Sequence, residues 1–182
     1  MSSIRPCGTE SLCKGFGVFP TPVHAIEPPM EIVLYEPDIP QNAGTIMRMA
    51  ACLSVSVHII EPAGFPVSDR AFRRAGLDYL DAVRIERHIS FAAFEEWRKA
   101  NGRRLVLLTT RAATAYPAFA FRDGDLLMVG RESSGVPDKV HASADASLRI
   151  PMREGLRSLN IAVALSMVLG EALRQTGKLN DA

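Results

Sequence analysis

The stretch "DLLMVGRESSGVP", residues 125–137, decides how this chain is interpreted. Its first half is apolar enough for a strand that is buried on both faces of a sheet. Its second half, residues 130–137, packs two glycines, an acid, two serines and a proline into one short turn, which is more polar chemistry than a connection needs. A buried strand followed by such a turn is typical of open parallel sheets, where ligands bind at the carboxyl ends of the strands.

The same alternation of short apolar runs and helical stretches begins at Glu31 and continues to the C-terminal part of the chain. The predicted strands are 31–35, 56–61, 82–86, 104–110, 125–130 and 147–151. The predicted helices between them are 43–53, 68–76, 90–102 and 135–143, with Ser68 and Ser90 as N-caps and Gly76 and Gly102 as C-terminal stops. This order predicts an α/β fold, a parallel sheet with helices on both faces.

Length and composition describe an ordinary globular protein. The 182 residues are 47% apolar and 23% charged, with a net charge of +1, so an anionic partner must meet a local basic patch. We expect residues 1–29 to form a flexible N-terminal extension and residues 30–182 to form a single domain. The three cysteines show no paired spacing, and no run is long or apolar enough for a membrane span or a secretion signal, which predicts a cytoplasmic protein without membrane contact.

The last predicted helix, residues 157–177, is apolar nearly all round. Such a helix cannot present one face to water and needs two packing partners. Two interpretations stay open: a core helix between the sheet and its neighbours, or a helix whose second face meets another subunit.

Four loops fall at the predicted carboxyl edge of the sheet: residues 36–48, 109–114, 130–137 and 151–160. Polar residues on three of them are candidates for a site, although each has a simpler explanation. Asn42, Glu132 and Ser158 could only cap helices, and Arg48 could be a solvated surface charge. We nevertheless expect one site, because Arg48, Glu132 and Arg157 all fall at this edge and caps alone would not need them there.

Other chemistries are not supported by the sequence. The four histidines (His24, His58, His88 and His141) lack metal-ligand spacing and an accompanying acid, so we expect them to be structural or surface groups. No dinucleotide fingerprint, phosphate-binding loop of the Walker type or nucleophile elbow is found. The site is therefore expected to work by positioning its reactants, without a metal.

Several motifs in order resemble those of the SPOUT-class RNA 2′-O-methyltransferases (the TrmH/SpoU superfamily), above all its short TrmL-type members, which methylate the tRNA wobble ribose. These motifs are "LYEPDIPQNAGTIMR", "HIIEP", "RRAGLDY", "DGDLLMVGRESSGVP" and "RIPMREGLRSLN", and they cover about residues 31–177. The resemblance implies a deep trefoil knot in the C-terminal part, S-adenosylmethionine as cofactor, tRNA (the anticodon stem-loop) as substrate and a homodimer packed through the C-terminal helix.

The resemblance also assigns site residues. Its implied catalytic set is Asn42, Arg48, Glu132, Ser158 and Asn160. Its implied cofactor-binding set is Leu108, Thr109, Gly130, Glu132, Gly135, Ile150, Met152 and Ser158. The chain departs from many relatives in "SLNIAV", where Ala162 and Val163 replace residues that are often polar.

Methyl transfer from a sulfonium mainly requires that the reactants be aligned and that the hydroxyl proton be lost. The resemblance makes Arg48 the proton acceptor, but a guanidinium is effectively always charged, so we favour Arg48 as an electrostatic stabiliser of the developing alkoxide.

For RNA binding, Arg70, Arg73 and Arg74 form a basic turn, continued by Arg84, Arg87, Arg103 and Arg104, although a solvated helix face stays possible. The competing functions are a non-catalytic RNA-binding module and a methyltransferase acting on rRNA.

Overall fold

A computed structural model describes residues 29–66 and 82–179 of the chain. Its sheet has seven strands in the order β3-β2-β1-β6-β4-β7-β5, and every neighbouring pair is parallel. The strands are β1 (Glu31–Tyr35), β2 (Ser56–Ile60), β3 (Ile85–His88), β4 (Leu105–Leu108), β5 (Thr114–Ala115), β6 (Leu126–Val129) and β7 (Ala146–Arg149). The predicted parallel α/β fold is confirmed.

Helices cover both faces of this sheet, as predicted. The helices in the described residues are α1 (Pro40–Cys52), α2 (Phe91–Ala100), α3 (Asp138–Ser143) and α4 (Ile161–Gln175). On β1, Ile32 and Leu34 join one core with residues of α1 and α4, whereas Val33 and Tyr35 join a second core with residues of α2 and α3. Alternate residues of a strand point to opposite faces, so apolar runs such as "EIVLY" are needed when both faces are buried.

Several predicted bounds were wrong by a few residues. The strand predicted at 82–86 lies at Ile85–His88, because pairing with β2 begins at Ile85. The helix predicted at 43–53 already begins at Pro40, whose fixed φ suits the first helical position, so Pro40 starts the helix as well as following the strand. The short edge strand Thr114–Ala115 was not predicted.

The ends of α2 were predicted correctly, but the start of α4 was not. Ser90 caps α2 by accepting a hydrogen bond from the amide of Ala93, and Gly102 adopts a φ of +61° just after that helix, as expected. The last helix was predicted to begin at residue 157, but α4 begins at Ile161 with Asn160 as its N-cap. Ser158 precedes the helix and is not its cap.

The helix α4 carries two apolar stripes. Leu165, Val168, Leu169, Ala172 and Leu173 are buried against the sheet and α1. Val163 and Met167 lie on another face and stay 50% and 39% exposed. Among residues 29–66 and 82–179, nothing covers the second apolar face of the helix.

Some predictions concern residues outside the described part of the chain. These are the N-terminal extension up to residue 28, Ser68 and Gly76 as helix ends, and Arg70, Arg73 and Arg74 as an RNA-binding turn. Among the described helices, none has the length and apolar character needed to span a bilayer.

Two expectations about charged residues were wrong. His58 does have an acidic partner: its Nε2 lies 3.0 Å from Oε2 of Glu31, and both side chains are buried. Arg103 does not face phosphates, because it is buried and bonds Glu31 and two backbone carbonyl oxygens. Arg104 is paired with Asp125. Long-range pairs of this kind cannot be read from a local pattern.

Candidate active site

A cavity of about 680 Å³ lies at the carboxyl edge of the central strands. It is bordered by the ends of β4, β6 and β7 and by the segments that follow them, together with the first turn of α1 and the start of α4. Residues from all four loops at the predicted edge reach it. Its size falls in the range of small-molecule sites, which is roughly 300–1,000 Å³.

Most of the residues expected at a site border this cavity. They are Asn42, Leu108, Thr109, Gly130, Glu132, Gly135, Ile150, Met152, Ser158 and Asn160. Arg48 and Arg157 are exposed and are not among the described residues that line it. The expected cluster of Arg48, Glu132 and Arg157 is therefore not formed around the cavity of one subunit.

A chain of hydrogen bonds crosses the cavity wall. Nδ2 of Asn160 donates to Oδ1 of Asn42 over 2.9 Å, and Nδ2 of Asn42 donates to Oε1 of Glu132 over 3.1 Å. The same Asn160 accepts from the amides of Ala162 and Val163 through Oδ1. Asn160 thus fixes the start of α4 and, through Asn42, the orientation of Glu132.

Asp38 extends this chain on the far side of Glu132. Its Oδ1 accepts from the amide of Glu132 over 3.0 Å, its own amide donates to Oε2 of Glu132 over 3.2 Å, and Oδ2 accepts from the Ser133 hydroxyl. Asp38 was not singled out in the sequence. An acid between the end of β1 and the start of α1, at the same sheet edge as Glu132, was the available signal.

The two carboxyl groups titrate as a pair. The hydrogen bond with Glu132, then those with Ser133 and the loop amides, holds the pKa of Asp38 well below its usual range. Burial, followed by the hydrogen bond with Asp38, raises the pKa of Glu132. The pair therefore holds one proton more readily than two isolated carboxylates would.

The loop after β6 is folded tightly against the strand end. Arg131 and Gly135 exchange two backbone hydrogen bonds of 3.0 and 2.8 Å, and Gly135 has a φ of +68°. A Cβ on Gly130 would lie 2.6 Å from the carbonyl carbon of Gly135. Glycine at position 130 is thus required by the close approach of the loop's own backbone.

Another residue reaches the cavity without having been expected there. His141 of α3 borders it, although the sequence suggested a structural or surface group. Burial, then the charge of Arg111, lowers the pKa of His141, against the opposing charge of Asp138. Its imidazole is therefore biased towards the neutral form.

With this fold and site described, comparison with known proteins defines the class. Residues 29–170 match the model of the SpoU rRNA Methylase family, and the chain belongs to that family.

Individual members of the family show which proteins this chain is similar to. A tRNA (cytidine(34)-2′-O)-methyltransferase of Ancylobacter novellus is 64% identical over 148 residues, which cover 81% of this chain and 94% of that protein. A solved structure giving structural insights into the 2-OH methylation of C/U34 on tRNA has a TM-score of 0.75 at 44% identity, covering 80% of this chain and 95% of its own. The SpoU methyltransferase AviRb from Streptomyces viridochromogenes, in complex with the cofactor AdoMet, has a TM-score of 0.75 at 26% identity and covers 82% of this chain and 61% of its own.

Proposed function

We propose that this protein transfers a methyl group from S-adenosylmethionine to the 2′-hydroxyl of the ribose at the tRNA wobble position, on cytidine 34 or a modified uridine 34. Two observations together support the proposal. The chain is similar over nearly its full described length to tRNA (cytidine(34)-2′-O)-methyltransferases, and its cavity is of a size suited to S-adenosylmethionine. The chain spans 94% of the tRNA (cytidine(34)-2′-O)-methyltransferase of Ancylobacter novellus, but only 61% of AviRb.

The cavity fits S-adenosylmethionine in size and in the chemistry of its lining. Apolar side chains such as Leu108, Ile150 and Met152 offer a surface for the adenine ring. The backbone at Thr109, and the polar loop between Gly130 and Gly135, offer hydrogen bonds for the ribose and the methionine end. When bound, this cofactor supplies an activated methyl group, so the protein has only to orient the sugar and assist proton loss.

The hydrogen-bonded chain from Asp38 to Asn160 gives these side chains their roles. Asn42 and Asn160 hold the ribose in line with the methyl group, and Glu132 fixes Asn42 in the orientation that this requires. Ser158, which borders the cavity, contributes to both cofactor and sugar binding. Positioning of this kind needs no metal at the reacting atoms.

In the homodimer that we propose, Arg48 of one subunit completes the site of the other subunit. The exposed stripe of Val163 and Met167 on α4 is continuous with the cavity rim at Leu159, which is 41% exposed. α1, which carries Arg48, packs directly against α4. Pairing through α4 would bury this apolar stripe and bring α1 of one subunit near the cavity of the other, where Arg48 stabilises the developing alkoxide.

Three further parts belong to the proposal. The family likeness supports a trefoil knot in the C-terminal part of the chain. Sequence composition supports a single domain over residues 30–182 after an N-terminal extension, and a cytoplasmic location, where tRNA is available. A crystal structure in which the backbone does not pass through a loop of the chain would contradict the knot.

A further part of the proposal is that Arg70, Arg73 and Arg74, which lie outside the described residues, bind the RNA phosphates. Reversing the charge at Arg73 and Arg74 should weaken tRNA binding and flatten its dependence on salt, because counterion release scales with the phosphates contacted. Unchanged tRNA affinity at low and moderate salt would contradict this assignment.

The decisive experiment is mass spectrometry of nucleosides after incubating tRNA and the protein with isotopically labelled S-adenosylmethionine. We expect label in the 2′-O-methyl group of nucleotide 34. tRNA that binds without acquiring label would favour a non-catalytic RNA-binding module. Label acquired only by rRNA, supplied in a parallel reaction, would favour the ribosomal substrate.

A further inference from the structure

A second cluster of chemically reactive side chains lies away from the cavity, between β2 and β3. His58 and His88 are buried, with exposed fractions of 1% and 6%, and Nδ1 of His58 lies 2.9 Å from Nε2 of His88. Glu86 faces His58 in the register of the two parallel strands and is half-buried. One ligand atom from each of these three residues lies within 4.8 Å of the others.

We infer that His58, His88 and Glu86 form a binding site for a divalent transition-metal ion of the zinc class. Two imidazole nitrogens and one carboxylate oxygen are ligands that such ions favour, and three protein ligands leave one position for water. Two nitrogens bound tetrahedrally to one zinc ion lie roughly 3.3 Å apart, so the pair would have to separate by only a few tenths of an ångström.

Glu31 provides an independent observation that points to a metal. Its Oε2 lies 3.0 Å from Nε2 of His58 and 3.0 Å from Nη2 of Arg103. A carboxylate oxygen at this distance accepts a hydrogen bond from Nε2 of His58, which leaves the lone pair of Nδ1 directed at His88. Metal-binding histidines have this carboxylate arrangement on the nitrogen opposite the metal.

His88 is suited to the same role. Its Nε2 is the ring nitrogen that approaches Nδ1 of His58, so the two ligand atoms face each other. Its Nε2 becomes a ligand once its proton moves to Nδ1. Glu86 lies on β3, which is an outer strand of the sheet, and gives the ion a route from solvent. The bound ion would cross-link β3 to β2 and stabilise this edge.

None of the three residues lines the cavity that we assign to methyl transfer. The inference therefore does not depend on the proposed function, and it leaves a metal-free methyl transfer unchanged.

Trp97 is a built-in reporter of this site. It is the single tryptophan of the chain, and its ring lies 4.5 Å from that of His58 and 5.6 Å from that of His88, between centroids. The full-length chain, freed of any affinity tag and dialysed against a chelator, would be titrated with Zn²⁺ alone while Trp97 emission is followed. In parallel, Co²⁺ would be added and its visible absorption recorded.

We expect one equivalent of Zn²⁺ to bind with a dissociation constant of about 1 µM or below, to change Trp97 emission and to raise the unfolding temperature. Glu86→Gln should weaken binding by at least about ten-fold, as expected for a lost charged ligand, with an unchanged circular dichroism spectrum. His88→Gln should abolish the Zn²⁺-dependent change in emission. Because it alters a buried histidine pair, this variant could misfold, and Glu86→Gln then decides the test.

Two controls are matched to these variants. Glu96→Gln removes an exposed carboxylate beside Trp97 in sequence and should leave Zn²⁺ binding unchanged. The combined replacement Cys7→Ser, Cys13→Ser and His24→Gln removes other potential ligands near the N-terminus and should also leave it unchanged. Absence of saturable binding, or binding that survives Glu86→Gln and His88→Gln at full strength, would overturn the inference.

Discussion

Asp38 and Glu132 form a pair of carboxyl groups at the cavity wall that work as a unit. Burial, then the hydrogen bond with Asp38, raises the pKa of Glu132, whereas the hydrogen bond with Glu132 lowers the pKa of Asp38. When Glu132 is protonated, it can donate to Asp38 through one oxygen while the other oxygen accepts from Asn42. It is thus a positioning residue whose hydrogen-bonding pattern resembles that of a glutamine.

This pattern predicts the effect of replacing Glu132. Glu132→Gln should keep turnover within about ten-fold of wild type, since an amide can donate to Asp38 and accept from Asn42 while losing only the long contact with the Asp38 amide. Glu132→Ala should lower kcat by roughly 10²-fold, because Asn42 loses its support. Steady-state kinetics with tRNA would measure both. Equal losses in the two variants would show that Glu132 acts as an ionised carboxylate.

The same pair predicts how stability depends on pH. A carboxyl group whose pKa is higher in the folded than in the unfolded protein contributes to stability at low pH. The contribution is complete below the pKa in the unfolded protein, and it is lost as pH rises through the pKa in the folded protein. Wild type should therefore lose stability relative to Glu132→Gln as pH rises above the ordinary glutamate range of about 4. Urea unfolding of both proteins at pH values below and above this range would measure the difference. A difference that stays constant would contradict a raised pKa for Glu132.

At the scale of elements, the start of α4 joins a structural cap to the site. Asn160 accepts from two amides of the helix through Oδ1 and donates to Asn42 through Nδ2. These two functions use different atoms of one side chain, so they can be separated by substitution.

Asn160→Asp keeps an acceptor for the helix amides and removes the donor to Asn42. Its free energy of unfolding should stay within about 0.5 kcal/mol of wild type, whereas methyl transfer should fall by at least about ten-fold. Asn160→Ala removes both functions and should also cost about 0.5–2 kcal/mol of stability. Urea unfolding and turnover would be measured for both variants. Full activity in Asn160→Asp would mean that the bond to Asn42 does not matter for catalysis.

The turn after β6 depends on the absence of a side chain at Gly130. In Gly130→Ala, the new methyl group would lie within 2.8 Å of the Gly135 carbonyl oxygen and of Cγ1 of Val136. The loop would have to shift, at a cost of about 1–3 kcal/mol in unfolding free energy, and cofactor affinity should fall. Calorimetric titration with S-adenosylmethionine would measure the affinity.

Gly170→Ala is the matched control for this substitution. A Cβ at Gly170, within α4, would meet no other atom within 4 Å. This variant should keep cofactor affinity and gain up to about 1 kcal/mol of stability from helix propensity. If Gly130→Ala bound the cofactor as tightly as Gly170→Ala does, the loop's close packing would have no role in binding.

At the scale of the whole molecule, the dimer that we propose would complete the site. Arg48 does not line the cavity of its own subunit, and the outer apolar stripe of α4 is exposed there. Arg48→Ala and Asn160→Ala should therefore each lower turnover by roughly 10²-fold, but a purified mixed dimer of the two chains should recover about half of wild-type activity. In that dimer, one of the two sites receives both intact residues.

The mixed dimer would be purified through two different tags and assayed with tRNA. If Arg48 served its own subunit, every site in the mixture would carry one defect and activity would not return. Met167→Glu, which places a charge on the exposed stripe, should give monomers in sedimentation. A dimer that survives this change unaltered would contradict pairing through α4.

The sequence by itself determined the architecture of this protein. Apolar runs such as residues 31–35 and 126–129 predicted strands buried on both faces, Ser90 and Gly102 predicted the ends of α2, and the strand ends predicted where the cavity lies. These features depend on residues close together in the chain, so period and local chemistry were sufficient to predict them.

Only the tertiary structure decided which distant side chains meet. The pairing of Asp38 with Glu132, of Asn42 with Asn160 and of Glu31 with His58 joins segments that strand order, not sequence, brings together. Local pattern also misplaced the start of α4, because the cap at Asn160 is defined by amides that follow it and by Asn42 across the cavity. The direction of a side chain depends on the packing of its element, and for that reason Arg48 and Arg103 could not be placed from the sequence.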